Sequence, residues 1–316
     1  MPVTSLLFTS MLVFGPVLSL SSSSWVFCWA GMEIGLLGLI PLLLSGKMAS
    51  NKEAALKYFC LQALASVFLF ISGMYLFSSL HVGNISTMTM LLALSLKLGL
   101  FPGHFWVPSV SLGVDWISCF LVLGPLKLPP FGFLAAISSL SLMASSMILI
   151  LGGLSALMGA LIGLNQSKVR GMLGASSIAH TGWASIGAVS GAMWFYIVVY
   201  LGVLFVTLGL LWMNQTGMSG MFILSMSGLP PFIMFPAKLS VLSGLVAANT
   251  QSFIFLMLPL LGAIISLVFY LKFFYSFTLS ESRPGMSSSL LGVGGFNLLG
   301  AILILLFFGG RGEGCS

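Results

Sequence analysis

A chain of 316 residues of which 59% are hydrophobic and only 5% are charged cannot keep its surface in water, which excludes a soluble globular protein. The net charge of +6 does not indicate nucleic-acid binding, because the basic residues do not cluster with interleaved aromatic residues on a polar surface. Basic loops of an all-α, polytopic membrane protein account for them better.

Hydrophobic runs of about 20 residues recur along the chain and predict eleven transmembrane helices. The first run has no preceding basic region and no cleavage site, so we expect a retained span instead of a signal or transit peptide. Short linkers rich in Ser, Gly and Asn leave no room for a soluble domain, so residues 1–316 should form a single membrane-embedded domain. The predicted spans lie near 3–20, 25–45, 54–78, 88–107, 115–134, 136–163, 171–189, 192–213, 220–247, 253–276 and 289–309.

The basic residues outside the spans test this count. If the even-numbered loops share the side of the N-terminus, that side collects seven basic residues and the other side only Arg311. Such a bias predicts that the N-terminus faces the cytoplasm or matrix and that the C-terminus lies on the opposite side. The seven residues are Lys47, Lys52, Lys57, Lys168, Arg170, Lys272 and Arg283.

Spans four and nine carry helix-breaking residues at membrane depth. Two prolines and two glycines follow Lys97 within Leu96–Pro108, and Gly228–Pro231 is followed by Pro236 and Lys238. Proline removes a backbone donor, so both helices should be discontinuous. Interrupted spans in corresponding positions are typical of repeat-built transporters, and an offset of five spans predicts two inverted five-helix repeats.

Glu33 is the only acid well inside a predicted span, and it lies between Gly31 and Gly35. In one interpretation, the glycines only pack against another helix and the Glu33 side chain extends to the membrane interface. The other is an ion pair with Lys97, for which the glycines would allow close helix approach. A charge at the bilayer centre costs at least about 3 kcal/mol, and such groups usually line proton or ion pathways.

Lys97, Lys127 and Lys238 are the three lysines inside apolar spans. A buried lysine can exchange its proton, whereas arginine stays charged. The alternative for Lys127 and Lys238 is a side chain that reaches the interface from near a helix end. His104 is either a shuttle between lysines or a hydrogen-bonding group at the broken helix, and His180 is either a further shuttle or a group that joins two helices.

The cysteines and histidines predict no redox cofactor. The four cysteines are isolated and form no CxxC motif, so neither zinc nor an iron–sulfur cluster has a set of ligands. The three histidines fall in different segments, and two of them would have to face each other to hold haem.

Five segments in order along the chain resemble the mitochondrial NADH–ubiquinone oxidoreductase chain 2 family. They are NKEAALKYF at Asn51–Phe59, KLG and HFWVP within Leu96–Pro108, GLNQ at Gly163–Gln166, SSIAHTGW at Ser176–Trp183, and GLPP with its lysine within Gly228–Lys238. Together these motifs span most of the chain. The sequence departs from the family pattern at Gly103 and at Ser109, where the family often has a glutamate.

The resemblance implies an antiporter-like membrane subunit of respiratory complex I, with Glu33, Lys97, Lys127 and Lys238 in a central line that moves protons. It implies that NADH, FMN, iron–sulfur clusters and ubiquinone are handled by other subunits and that this chain binds no cofactor. The implied partners are other complex I membrane subunits, with chains 4 and 4L as neighbours, accessory subunits and membrane lipids.

The resemblance also implies a location. Full-length relatives of the family have fourteen spans and animal mitochondrial forms lack the first three, so eleven spans favour the inner membrane of an animal mitochondrion. Two other functions remain open from the sequence: a free-standing cation/proton antiporter of the same fold, and a membrane scaffold that pumps nothing.

Overall fold

The computed structural model describes residues 3–46, 48–78, 84–230, 232–248 and 253–280, and within these ranges it contains helices and no strands. Helices are expected, because a backbone in lipid must satisfy its hydrogen bonds within the segment. A short 3-10 helix, Pro125–Lys127, lies between the sixth and seventh α-helices. The α-helices are α1 (Val3–Ser21), α2 (Trp25–Leu44), α3 (Ala49–Ser78), α4 (Asn84–Leu98), α5 (Trp106–Gly113), α6 (Trp116–Leu123), α7 (Leu128–Ser138), α8 (Leu142–Leu164), α9 (Val169–Ser190), α10 (Met193–Trp212), α11 (Thr216–Met226), α12 (Met234–Ala248) and α13 (Phe253–Ser280).

Six helical stretches in the described ranges are long and apolar enough to cross a bilayer, and four shorter apolar helices accompany them. The first ten predicted spans each overlap one helix or two consecutive helices, and α5 extends beyond residue 107, the predicted end of span four. The eleventh predicted span, 289–309, lies outside the described residues. The count of eleven and the inverted repeat therefore stay predictions.

The two predicted helix breaks are confirmed. Span four is divided into α4 and α5 by a segment of turns between Leu98 and Trp106, and span nine is divided into α11 and α12 between Met226 and Met234. Each break contains a glycine with a positive φ angle, Gly99 at 73° and Gly228 at 76°. The backbone therefore turns at both sites into a conformation that residues with a side chain rarely adopt.

Span five is interrupted as well, so the prediction of two discontinuous helices was incomplete. Helix α6 ends at Leu123, and the 3-10 turn at Pro125–Lys127 connects it to α7. The sequence supplies the cause, because the prolines at 125, 129 and 130 cannot donate a backbone hydrogen bond. This interruption places Lys127 at a turn inside the protein.

Helix α9 forms the centre of the bundle. Every residue from Gly171 to Gly187 is buried, although this stretch is rich in Ser, Thr and Gly. Small residues allow close packing, and serine hydroxyls can bond to carbonyls of their own helix, as Ser176 and Ser177 do. The polar stripe that contains His180 therefore faces protein and not lipid.

Candidate functional site

Glu33 and Lys97 form an ion pair between α2 and α4. Lys97 Nζ lies 2.9 Å from Glu33 Oε1, and the two side chains are 4% and 21% exposed. The predicted pairing is therefore confirmed, and the interpretation in which Glu33 is only part of a packing seam is wrong. Gln62 on α3 donates a hydrogen bond of 3.3 Å to the Lys97 carbonyl and so joins a third helix to the pair.

The glycines beside Glu33 allow close helix approach, but to α1 and not to α4. A Cβ atom at Gly31 would lie 2.6 Å from the Ser19 nitrogen and 2.7 Å from the Gly15 oxygen, both on α1. The geometry that we expected to bring α2 to α4 thus holds α2 against α1. Glu33 reaches α4 through the length of the two side chains instead.

Lys97 and Lys127 line one internal cavity. The cavity has a volume of about 20 Å³, which is enough for about one water molecule. Gln62 and Tyr58 also line this cavity and supply an amide and a hydroxyl. The cavity therefore links the paired lysine to the lysine at the 3-10 turn through a small polar space.

Lys127 lies between this cavity and a second one. Its side chain is buried, and Nζ is 3.5 Å from the Ser177 hydroxyl oxygen on α9, which is the outer limit for a hydrogen bond. The second cavity is smaller, at about 10 Å³, and is lined by Lys127, His180 and Tyr200. A lysine that reached the membrane interface would be exposed, so that interpretation is wrong for Lys127.

His180 is held on both ring nitrogens by tyrosines. Nδ1 lies 2.7 Å from the Tyr196 hydroxyl on α10, and Nε2 lies 3.3 Å from the Tyr270 hydroxyl on α13. All three side chains are buried. His180 therefore does join helices, and it does so within electrostatic reach of Lys127 and Lys238.

Lys238 is buried at the break between α11 and α12. Its Nζ donates a hydrogen bond of 2.6 Å to the Ser227 carbonyl, at the end of α11, and lies 5.6 Å from the centre of the Trp183 ring on α9. A helix C-terminus carries a partial negative charge, which favours a cation there. Lys238 thus bridges its own helix break inside the protein and does not reach the membrane interface.

His104 is buried in the turn segment between α4 and α5. Its ring stacks on Phe101 and lies 4.0 Å from the Phe105 ring, measured between centroids. Neither ring nitrogen has a well-aligned hydrogen bond in the described part of the chain. The structure thus places His180, and not His104, beside Lys127.

The ion pairs of the described residues separate the three buried lysines into two kinds. Lys97 binds a carboxylate, whereas no carboxylate oxygen of the described chain lies within 4.0 Å of Lys127 or Lys238. The described residues also contain no group of three His, Cys, Asp or Glu side chains that could share a metal ion. An ion pair and two small cavities join Glu33, Lys97, Lys127 and His180 in one row of titratable groups, and Lys238 lies within electrostatic reach of His180.

Sequence reasoning missed several polar side chains of this row. Gln62, Ser177, Tyr196 and Tyr270 all lie in apolar spans, and they meet the charged residues only through contacts between distant helices. A buried hydroxyl or amide in such a span needs a partner. That requirement would have marked these residues as candidates, although it would not have named their partners.

Comparison with known proteins shows the family of the chain. Residues 22–218 match the transmembrane family of NADH:quinone oxidoreductases and Mrp antiporters. NADH-ubiquinone oxidoreductase chain 2 of Albinaria caerulea is 36% identical over 273 residues, which cover 86% of this chain and 89% of that protein.

Two solved structures share the fold. A chain of respiratory complex I from Thermus thermophilus, solved with bound aureothin, superposes with a TM-score of 0.76 at 22% identity, over 95% of this chain and 77% of that chain. A chain of the Mrp complex from Dietzia sp. superposes with a TM-score of 0.78 at 17% identity, over 96% of this chain and 74% of that chain. These two likenesses show the fold, and the sequence matches show that the chain belongs to the NADH–ubiquinone oxidoreductase chain 2 family.

Proposed function

We propose that this chain is a membrane subunit of respiratory complex I that moves protons through the row from Glu33 and Lys97, by way of Lys127 and His180, to Lys238. The observation that carries the proposal is the series of contacts from Glu33 to His180, with Lys238 within electrostatic reach of His180. The ion pair of Lys97, the two cavities that flank Lys127 and the hydrogen bonds of His180 follow one another inside the bundle. Family membership supports the assignment to complex I.

The Glu33–Lys97 pair has the energy scale of a gate. Two unit charges at about 4 Å attract by about 4 kcal/mol at an effective dielectric of 20. One proton that crosses 100 mV gains about 2.3 kcal/mol. The two energies are comparable. The arrival of a proton in the cavity that Lys97 and Lys127 line can therefore be coupled to separation of the ion pair.

Electron transfer belongs to other subunits in this proposal. The chain contributes the proton path and binds none of NADH, FMN, iron–sulfur clusters or ubiquinone. Its neighbours would be complex I chains 4 and 4L, accessory subunits and the lipids of the mitochondrial inner membrane. The expected orientation has the N-terminus in the matrix and the C-terminus in the intermembrane space.

The orientation can be tested with single cysteines in a background without native cysteines. Ser167 and Ser139 are exposed at the ends of different helices, and the proposal places them on opposite sides of the membrane. An impermeant thiol reagent added from the matrix side should label Ser167→Cys and not Ser139→Cys. Labelling of both from one side would contradict the proposed threading.

A free-standing cation/proton antiporter is the second candidate, since the fold is shared with a chain of the Mrp complex and does not by itself separate the two functions. The two functions differ in the size of the particle that contains the chain. After mild solubilisation, a subunit of complex I migrates on a native gel in a large assembly that oxidises NADH. An antiporter would migrate as a small particle without that activity.

Substitution of Lys127 tests the proton path. In the assembled complex reconstituted in vesicles, Lys127→Met should lower the number of protons pumped per NADH oxidised, because it removes the titratable group shared by both cavities. Lys57→Met is a matched control, since Lys57 is half-exposed and pairs with the exposed Glu53 outside the row. A normal ratio in Lys127→Met would favour a scaffold that pumps nothing.

A further inference from the structure

The end of α4 presents backbone carbonyls that need donors from outside the helix. The last four carbonyls of a helix have no N–H partner in a following turn. One of them is satisfied by the backbone, because the Leu100 N–H donates to the Ser95 carbonyl at 2.9 Å. Gly99, with its positive φ angle, permits this return of the chain, as a glycine does in a Schellman motif. The carbonyls of Leu96 and Lys97 take their donors from side chains.

These two side chains come from different helices. The Trp106 indole N–H, at the start of α5, donates to the Leu96 carbonyl at 3.0 Å. The Gln62 amide on α3 donates to the Lys97 carbonyl at 3.3 Å. Trp106 and Gln62 are 4% and 5% exposed, so both hydrogen bonds lie inside the protein. The end of α4 is therefore capped by two uncharged donors.

Tyr58 supports the indole from the same helix as Gln62. It precedes Gln62 by one helical turn on α3, and its ring meets the Trp106 ring edge-on, with centroids 5.4 Å apart. Tyr58, Gln62, Trp106 and Lys97 all line the cavity that Lys97 shares with Lys127. The sequence motifs that contain Tyr58 and Trp106, NKEAALKYF and HFWVP, thus meet at this break.

The break at Lys238 is capped in another way. There the Lys238 ammonium itself donates to the Ser227 carbonyl at the end of α11. A lysine near the C-terminus of a helix can satisfy the last carbonyls in this manner. Lys97 lies in the last turn of α4, yet its ammonium binds Glu33. At this break, the neutral caps occupy the carbonyls to which the ammonium could otherwise turn.

We propose that Gln62 and Trp106 are positioning residues that keep the Lys97 ammonium on Glu33, a role that rests on the proposed function. With both carbonyls satisfied, the ammonium gains little by turning back to the end of its own helix. Its hydrogen bond to the carboxylate is charge-assisted and about twice as strong as a neutral one. Removal of a cap leaves a buried carbonyl that competes with Glu33 for the ammonium.

Removal of either donor tests this role in the assembled complex reconstituted in vesicles. Trp106→Phe keeps an aromatic ring against Tyr58 but lacks the N–H, and Gln62→Met keeps the length of the side chain but lacks the amide. Per assembled complex, the maximal rate of NADH-driven proton uptake should fall about two- to tenfold, the factor for loss of one net hydrogen bond. The KM for ubiquinone should keep its wild-type value, because other subunits bind ubiquinone under the proposed function. A parallel change of KM would indicate a general structural defect and contradict the positioning role.

Gln62→His tests the donor itself. The imidazole restores an N–H donor at this position, so Gln62→His should recover most of the rate that Gln62→Met loses. Packing alone would not produce this recovery, because methionine resembles glutamine in shape more closely than histidine does. Equal losses in the two variants would overturn the role of the Gln62 amide.

Two control variants make the same chemical changes away from the break. Trp194 is 45% exposed on α10, and Gln215 is exposed before α11, where its side chain does not cap the helix. Trp194→Phe and Gln215→Met should pump as wild type, and the proposal is wrong if Trp106→Phe and Gln62→Met match them. Normal pumping in both cap variants together with a loss in Lys127→Met would overturn the caps and retain the proposed function.

Discussion

Lys97 and Lys238 lie at two similar helix breaks but are neutralised in different ways. The Lys97 ammonium binds the Glu33 carboxylate at 2.9 Å, whereas Lys238 donates to the Ser227 carbonyl at 2.6 Å and faces the Trp183 ring. A carboxylate carries a full charge, while the end of a helix offers about half a charge and the ring only a quadrupole. Under the proposed function, the first break opens and closes an ion pair, whereas the second holds a cation that no acid of the described chain binds.

The largest expected effect comes from separating the pair. Lys97→Met should impair assembly, because it leaves the Glu33 carboxylate without a partner, and Glu33→Gln should do the same to Lys97. Breaking a buried pair costs about 3–5 kcal/mol. The partial exposure of Glu33 places the expected cost toward the lower value, and the assembled fraction on native gels measures it.

The double variant sharpens this test. With both charges removed, assembly should recover although pumping should not, since the titratable groups are gone. Lys57→Met is the control, because it breaks an exposed pair worth at most about 1 kcal/mol. Additive losses of assembly in the double variant would mean that Glu33 and Lys97 act independently.

A smaller effect is expected from Gly228→Ala at the second break. The φ angle of 76° costs a residue with a side chain about 1–2 kcal/mol. The new Cβ would also lie 2.9 Å from Lys238 Nζ, so the lysine side chain must shift from its position against the Ser227 carbonyl. We expect modest loss of thermal stability in detergent together with reduced pumping.

Gly202→Ala provides the matched control on α10, because no atom lies within 4 Å of the Cβ that it adds. It should leave both stability and pumping unchanged. Equal behaviour of the two variants would show that the backbone turn at Gly228 is not what positions Lys238.

The sequence predicted the helix breaks because they depend on local chemistry. Proline cannot donate a backbone hydrogen bond wherever it lies, so the interruptions near Pro102 and Pro230 followed from composition. The interruption at Pro125 was equally readable, but the surrounding residues are apolar enough to pass for a continuous span. Hydropathy alone does not register a missing backbone donor.

The partners of the buried charges were only partly predictable. Glu33 and Lys97 could be paired because Glu33 was the only acid well inside a predicted span. No other acid could be the partner of Lys97, so the pair was predicted without knowledge of the geometry. Lys127, His180 and the two tyrosines offered no such elimination, since a hydroxyl can bond to many groups. Their meeting depends on how α9, α10 and α13 pack, which a pattern within one helix does not specify.

The most direct test of the account is the proton-to-electron ratio of Lys238→Met in the assembled complex. Because Lys238 binds no carboxylate in the described chain, its removal leaves no opposite charge behind, and the complex should assemble at the wild-type level. This assembled variant should pump fewer protons per NADH oxidised than wild type. An assembled Lys238→Met complex with the full wild-type ratio would contradict the claim that the row of buried lysines carries the protons.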